Sequence, residues 1–280
     1  MPSAQSEPTG SGAGLALVTG GSSGIGLAVA DRLVARGRPV AILARNPDRL
    51  EAARQFLETR NQAGAGTILA IAADVQSEEQ VRTAIDTIAR EVGPVETLVA
   101  AAGIARPNYF ARHSVNDFRD QMETNFFGSL HPARAVYADM VSRGRGQIVF
   151  IASGAAFMGL FGYSAYGASK FALRGLAESL HAESQGTGVR ISICYPPDTD
   201  TPQLIEENRT KPPETKAITG SVKVWQAGAV ADALLKGMDT GRFQITPGFD
   251  LSALGRLHSL IAPLLRWHFN RLAARARQTG

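Results

Sequence analysis

The chain has 280 residues, 44% of them hydrophobic, and a formal net charge of +4. This size and composition fit a globular protein with a sizeable core and exclude a disordered chain. A single cysteine, Cys194, excludes an intramolecular disulfide and favours a reducing compartment, so we expect a cytoplasmic protein. No apolar run reaches the roughly 18 residues that a bilayer span needs, and residues 1–14 resemble a flexible tail rather than a signal peptide.

Basic residues concentrate at the end of the chain. Residues 251–280 contain five arginines and no acid, and subtracting these five charges from the net +4 leaves −1 for the rest. The segment also holds leucines and Trp267, and Pro263 interrupts it. This mixture predicts that residues 250–280 form an amphipathic helix on an anionic membrane surface, with packing on a partner subunit as the alternative. We expect no nucleic-acid partner.

Between residues 15 and 249, short apolar runs alternate with patterns of helical spacing. The runs predict strands at 15–19, 39–44, 67–73, 96–102, 147–152, 189–195 and 243–246. Helices are expected at 25–36, 78–92, 115–142, 165–185 and 229–238, and one more is expected to begin at residue 47. This alternation predicts a single α/β domain, a doubly wound Rossmann-type fold with a mostly parallel sheet of about seven strands. Ligands bind such sheets beyond the carboxyl ends of the strands.

Two of the helix starts carry recognisable signals. Asn46 precedes Pro47, and proline at the first helical position loses no hydrogen bond. Ser77 and Gln80 have the spacing of a capping box, in which each side chain bonds the backbone of the other residue.

The first predicted strand ends in a glycine-rich loop that opens a helix. Such a loop lets the backbone approach a pyrophosphate, which the N–H groups and dipole of the helix attract. Its position at the start of the first β-α-β unit indicates dinucleotide binding rather than a merely structural turn. The residues expected to contact the cofactor here are Gly20, Ser22, Ser23, Gly24, Ile25 and Gly26.

The end of the second strand predicts which dinucleotide binds. An acid there would favour NAD, but this chain has Arg45, with Arg49 one turn further on. Guanidinium groups suit the 2′-phosphate, so we expect NADPH, the alternative being an ordinary solvated arginine. After the third strand, Asp74 is expected to accept a hydrogen bond from the adenine amino group, with Val75 beside it. We expect no metal.

Three side chains indicate ketone reduction. Ser153 follows the fifth strand, and Tyr166 and Lys170 lie four residues apart on the next helix, so they share a face. A tyrosine is a weak acid at neutral pH, and lowering its pKa by two to three units requires about 3–4 kcal/mol. A lysine about 4 Å away supplies about 4 kcal/mol at an effective dielectric near 20. We therefore predict that Lys170 acidifies Tyr166, while Ser153 donates to the substrate oxygen.

Together, the glycine loop and the Ser153, Tyr166 and Lys170 constellation resemble the short-chain dehydrogenase/reductase family. The resemblance runs from about residue 15 to 249, and it implies the catalytic roles just described. It also implies that Asn125, in Thr-Asn-Phe-Phe-Gly, helps to hold a proton-relay water. One departure is the sequence Ala-Ala-Ala-Gly at 100–103, where the family usually has Asn-Asn-Ala-Gly, and this puts a sheet-stabilising hydrogen bond in doubt.

Two longer stretches, 195–202 and 206–212, resemble a group within that family, the 3-ketodihydrosphingosine reductases, as does Gly-Leu-Phe-Gly at 159–162. The resemblance implies NADPH-dependent reduction of 3-dehydrosphinganine to sphinganine in sphingolipid synthesis. By position, Pro196, Thr199 and Thr201 are expected to contact the nicotinamide end of the cofactor. Family members often pair through their two long helices, so we also expect a homo-oligomer.

The residues around the catalytic group suit a long-chain amino ketone. The loop before Tyr166 is apolar, which favours an acyl chain, although its side chains could equally close the core or a subunit interface. These side chains are Phe157, Met158, Leu160, Phe161 and Tyr163. The polar segment 201–220 is predicted to act as a lid. Four acids are candidates to pair with the substrate ammonium: Asp198, Asp200, Glu206 and Glu207.

Two other functions stay open at this point. The first is a reductase of the same family that acts on a steroid, a 3-oxoacyl thioester or another lipid. The second is a regulatory protein that binds NADPH without turnover, which the intact set of catalytic residues disfavours.

Overall fold

The computed structural model describes residues 14–61, 66–220 and 223–279, so the tail predicted at 1–14 lies outside it except for Gly14. A seven-stranded parallel sheet has the order β3-β2-β1-β4-β5-β6-β9. A separate parallel pair of two-residue strands joins β7 to β8. The strands are β1 Leu15–Thr19, β2 Val40–Ala44, β3 Ile68–Ala72, β4 Val95–Ala100, β5 Gly146–Ile151, β6 Val189–Cys194, β7 Thr199–Asp200, β8 Trp225–Gln226 and β9 Gln244–Ile245. The doubly wound, parallel architecture predicted from the sequence is confirmed.

Helices connect the strands and cover both faces of the sheet. They are α1 Gly24–Ala35, α2 Pro47–Arg60, α3 Glu78–Glu91, α4 Val115–Met122, α5 Gly128–Ser142, α6 Ser164–Glu183, α7 Pro202–Thr210, α8 Pro213–Thr219, α9 Ala227–Asp239 and α10 Phe249–Thr279. Side chains of α1, α2 and α9 pack on one face, and those of α3, α5 and α6 on the other. Successive residues of a strand point to opposite faces, so Leu17 and Val18 lie in different cores. Both faces are covered, which explains why the strands are largely apolar rather than alternating.

The capping box predicted at the start of α3 is only half formed. Ser77 Oγ accepts a hydrogen bond from the Gln80 backbone N–H at 3.3 Å. The Gln80 side chain does not return to Ser77 and instead accepts from the Asp74 N–H at 2.9 Å. The reciprocal half of the prediction is therefore wrong, because the Ser77 N–H bonds instead to the Asp74 carbonyl at 3.0 Å.

The helix predicted as one element at 115–142 is two helices joined by a π-helical turn, Glu123–Phe127. Such turns are rare and often occur at functional sites. The widened turn holds Asn125, which is fully buried.

The C-terminal helix α10 runs through Pro263 without ending there, contrary to the predicted interruption. It packs against α8 of its own chain. Arg277 Nε near its end lies 3.0 Å from Glu214 Oε1, and Tyr109 Oη donates to Glu214 Oε2 at 3.0 Å. We call this three-residue contact the Glu214 clamp. Among the described helices, none is both long and apolar enough to cross a membrane.

Candidate active site

A cleft of about 530 Å³ lies beyond the carboxyl ends of the strands. Most of the residues predicted for the site line this cleft, namely Gly20, Ser22, Ser23, Gly24, Ile25, Gly26, Arg45, Arg49, Val75, Ser153, Tyr166, Lys170, Pro196, Thr199 and Thr201. Two predicted residues, Asp74 and Asn125, are not among those that line it in the described chain. The fold therefore brings the nucleotide loop and the Ser-Tyr-Lys set, far apart in sequence, into one cavity.

The glycine loop turns tightly enough to require glycine. Gly20 has a φ of +66°, and a Cβ there would lie 2.9 Å from the backbone of Ala102. A Cβ on Gly26 would clash with the carbonyl oxygen of Gly20. Ser23, the residue before α1, makes no side-chain hydrogen bond to the helix end. The first N–H groups of α1 are thus directed at the cleft without a side-chain cap, which is the arrangement that binds a pyrophosphate.

Arg45 follows β2 and is positioned to select between dinucleotides. Its side chain is 57% exposed, and its Nη1 lies 3.9 Å from Asp74 Oδ2. Exposed ion pairs of this kind are weak, so the guanidinium is free to bind a stronger anion. Asp74 Oδ1 accepts from the Gln76 N–H at 3.0 Å. The adenine contact proposed for Asp74 stays a prediction.

The side chains of Ser153 and Tyr166 both line the cleft, where the serine hydroxyl favours a lower pKa of the Tyr166 phenol. Ser153 stands in extended backbone ahead of a 3₁₀ turn, and its Oγ also accepts from the Ala155 N–H at 3.2 Å. Tyr166, in the first turn of α6, is buried. The hydroxyls of a serine and a tyrosine that converge on one point of a cleft can together hold a carbonyl oxygen.

Lys170 lies one helical turn after Tyr166, but the phenol is not more acidic than a free tyrosine in this geometry. Its Nζ donates to the Ile151 carbonyl at 2.9 Å and lies 5.7 Å from the centroid of the Tyr166 ring. Burial lowers the pKa of Lys170 to about 8. Burial is the largest effect on Tyr166 and raises its pKa, while the Ser153 hydroxyl opposes the rise. The predicted lowering of the tyrosine pKa is therefore wrong here, because desolvation of the buried phenol dominates.

Asn125 ties the π-helical turn to two other elements. Its Oδ1 accepts from the Ile104 N–H at 2.8 Å, and its Nδ2 donates to the Ile104 carbonyl at 3.0 Å and to Ser169 Oγ at 2.9 Å. These bonds connect the chain after β4 to α6 just behind Tyr166 and Lys170. Asn125 thus supports the site from behind the cleft wall, and its predicted contact with a relay water stays a prediction.

The hydrogen bond put in doubt by Ala-Ala-Ala-Gly at 100–103 has a substitute. Thr19 Oγ1, at the end of β1, accepts from the N–H groups of Ala101 and Ala102 at 3.2 and 3.3 Å. A buried threonine thereby holds the ends of β1 and β4 together beside the glycine loop.

The apolar loop before Tyr166 divides between core and cleft. Phe157 and Met158 are buried, and Phe157 stacks on Tyr195 with ring centroids 4.2 Å apart. Leu160 and Tyr163 line the cleft. The core role suggested by the sequence is therefore confirmed for Phe157 and Met158, whereas contact of Leu160 and Tyr163 with an acyl chain stays a prediction.

A buried polar network beside Tyr166 was not predicted. Tyr163 Oη donates a short hydrogen bond to Glu207 Oε1, and Lys211 Nζ lies 3.0 Å from the same oxygen. Asp198 Oδ2 lies 3.9 Å from Lys211 Nζ. We call these four residues the Glu207 network. The sequence signal was the i, i+4 spacing of Glu207 and Lys211, but burial of such a pair cannot be read from spacing alone.

Comparison with known proteins agrees with this geometry. Residues 14–212 match the sequence profile of the short chain dehydrogenase family, and the chain belongs to that family. Within it, the chain is 40% identical over 249 residues to a protein from Bos taurus named 3-ketodihydrosphingosine reductase, covering 89% of this chain and 75% of the relative. A Danio rerio protein named 3-dehydrosphinganine reductase is 40% identical over 242 residues, covering 85% of this chain and 73% of the relative.

A solved structure shares the same fold. The short-chain dehydrogenase from Sphingobium yanoikuyae, in complex with NADPH, superposes with a TM-score of 0.75 and 26% identity, over 90% of this chain and 94% of that one.

Proposed function

We propose that this protein uses NADPH to reduce the ketone of 3-dehydrosphinganine, a long-chain 2-amino ketone, to the alcohol sphinganine. The single observation that carries the chemistry is that Ser153, Tyr166 and Lys170 line the same cleft as the glycine loop. The substrate is supported by the name of the bovine relative, with which the chain shares 40% identity over most of its length.

Tyr166 supplies the proton in this reaction. Because burial raises the pKa of Tyr166, the phenol is protonated at neutral pH, as a proton donor must be. The Ser153 hydroxyl hydrogen-bonds the carbonyl oxygen and stabilises the negative charge that develops on it. As the proton leaves, the Lys170 ammonium on the same helix face stabilises the phenolate. With its pKa lowered to about 8, Lys170 is still mostly charged at pH 7.

The cofactor site fits NADPH. The uncapped start of α1 and the glycine loop would hold the pyrophosphate, and Arg45 and Arg49 would hold the 2′-phosphate. Pro196, Thr199 and Thr201 would contact the nicotinamide end. When bound, NADPH supplies the hydride that reduces the carbonyl carbon.

The decisive experiment is oxidation of NADPH by the purified protein with 3-dehydrosphinganine, a steroid ketone, a 3-oxoacyl thioester and a simple ketone. We expect 3-dehydrosphinganine to give the highest kcat/KM. Preference for the steroid or the thioester would replace the proposed substrate, and absence of turnover with every ketone would leave the non-catalytic alternative.

Helix α10 supports contact with a membrane surface. Four large apolar side chains spaced along it are about half or more exposed, namely Leu257, Leu260, Leu264 and Trp267. Arginines accompany them, and the Arg271 guanidinium lies 5.6 Å from the centroid of the Trp267 ring. An amphipathic basic helix of this kind binds anionic lipid, which would bring the enzyme to a lipid substrate. The cytoplasmic location and the homo-oligomer stay predictions.

A further inference from the structure

The substrate in the proposed function carries an ammonium on the carbon next to the ketone. Whatever binds this ammonium must therefore lie immediately beside Tyr166. Of the four acids that the sequence leaves open, Asp198, Glu206 and Glu207 line the cleft, whereas Asp200 does not. The side chain of Glu206 is exposed and paired with Arg209. Asp198 and Glu207 thus remain.

Burial and electrostatics place these two carboxylates close to the reacting group. The side chain of Glu207 is nine-tenths buried, and that of Asp198 is two-thirds buried. The charges of both act on the Tyr166 hydroxyl and raise its pKa. The two acids come from different elements, the loop after β6 and helix α7, and they converge on the same side of the cleft.

Within the Glu207 network, two carboxylates share one lysine. Tyr163 and Lys211 both bond to Oε1 of Glu207, and no described residue bonds to Oε2. Lys211 lies at the looser distance of 3.9 Å from Asp198. Burial raises the pKa of both acids, and Lys211 only partly opposes this rise. A buried site with one negative charge in excess and an unused carboxylate oxygen favours a second cation.

We infer that Glu207 and Asp198 bind the substrate ammonium and so select a 2-amino ketone over neutral ketones of the same length. This inference rests on the proposed function. Lys211 and Tyr163 position Glu207 through its other oxygen, so that Oε2 faces the amine. Charge-assisted hydrogen bonds of this type are each worth about 1.5–3 kcal/mol, which corresponds to about 10- to 100-fold in affinity.

The test compares 3-dehydrosphinganine with its deamino analogue, which has hydrogen in place of the ammonium. For Glu207→Gln we expect the ratio of KM for the amino ketone to KM for the deamino analogue to rise about 10- to 100-fold, a ratio from which any change at Tyr166 cancels because both ketones use the same proton donor. Asp198→Asn provides a second variant that leaves the Tyr163 hydrogen bond intact, and we expect the same selective rise. The matched control is Asp200→Asn, which changes an exposed acid two residues from Asp198. This variant should leave KM unchanged for both ketones.

Several results would overturn the inference. One is that Glu207→Gln and Asp198→Asn lose activity to the same extent with both ketones, which would assign the network a structural role. Another is a wild-type protein that reduces both ketones with the same KM, which would leave the reductase activity standing but remove ammonium recognition. A wild-type protein that reduces neither ketone would instead refute the proposed function itself, and the ammonium site with it.

Discussion

Substitution of Lys170 tests whether the catalytic lysine is buried at a cost to the fold. Lys170 is 4% exposed, and burial lowers its pKa from 10.5 to about 8. In the unfolded chain the amine regains its ordinary pKa, so unfolding takes up a proton between about pH 8 and 10.5. Stability of the wild type therefore rises with pH across this window, and the full cost of the buried charge is present below it.

The magnitude follows from the shift of about 2.5 units, which corresponds to about 3 kcal/mol at pH 7. At pH 9.5 the folded amine is neutral and the unfolded one is still mostly charged, so the remaining cost is about 1 kcal/mol. Lys170→Met removes the titrating group. We expect the unfolding free energy of the variant, minus that of the wild type, to fall by about 2 kcal/mol between pH 7 and pH 9.5.

The measurement is urea unfolding of both proteins at the two pH values, without cofactor. Loss of the Lys170 hydrogen bond to Ile151 affects both pH values in the same way and cancels from the difference. Lys236→Met, on the exposed side of α9, is the control and should show no such change. A Lys170→Met difference that is constant or grows with pH would refute the argument that burial lowers the lysine pKa.

Further outcomes follow from the site and from α10. Tyr166→Phe should abolish ketone reduction while NADPH still binds, as followed by cofactor fluorescence; equal loss of binding would contradict a purely catalytic role. Arg45→Ala should raise KM for NADPH about 10- to 100-fold and leave KM for NADH nearly unchanged, since only NADPH has the 2′-phosphate. The rate of reduction should fall as pH rises through about 8, where Lys170 loses its charge. Leu260→Glu combined with Leu264→Glu should release the protein from sedimented anionic vesicles without lowering its melting temperature.

The sheet and the catalytic set are predictable because their signals are local. Strands buried on both faces are largely apolar, and each of the seven sheet strands overlaps its predicted run. The sequence points to Ser153, Tyr166 and Lys170 for two reasons. Ser153 follows a strand end, and Tyr166 and Lys170 have the spacing of one helix face. The chemistry of all three side chains also suits proton donation to a ketone.

Features that depend on three-dimensional burial could not be predicted in the same way. The predicted acidity of Tyr166 failed because the sequence gives the spacing of Lys170 but not the desolvation of both groups. Gln80 has the spacing for a reciprocal cap, yet the fold supplies another donor, the Asp74 N–H. The sequence left four acids as equal candidates, because only the packing of α7 beneath the cleft buries Glu207 and leaves Glu206 exposed.

The Glu214 clamp joins the end of α10 to the segment predicted to act as a lid. Glu214 lies on α8, within the predicted lid at 201–220, and it is joined to Arg277 near the end of α10. The Arg277 guanidinium also lies 5.3 Å from the centroid of the Phe161 ring, in the loop before Tyr166. The membrane contact proposed for α10 would therefore be linked directly to the segment predicted to cover the substrate.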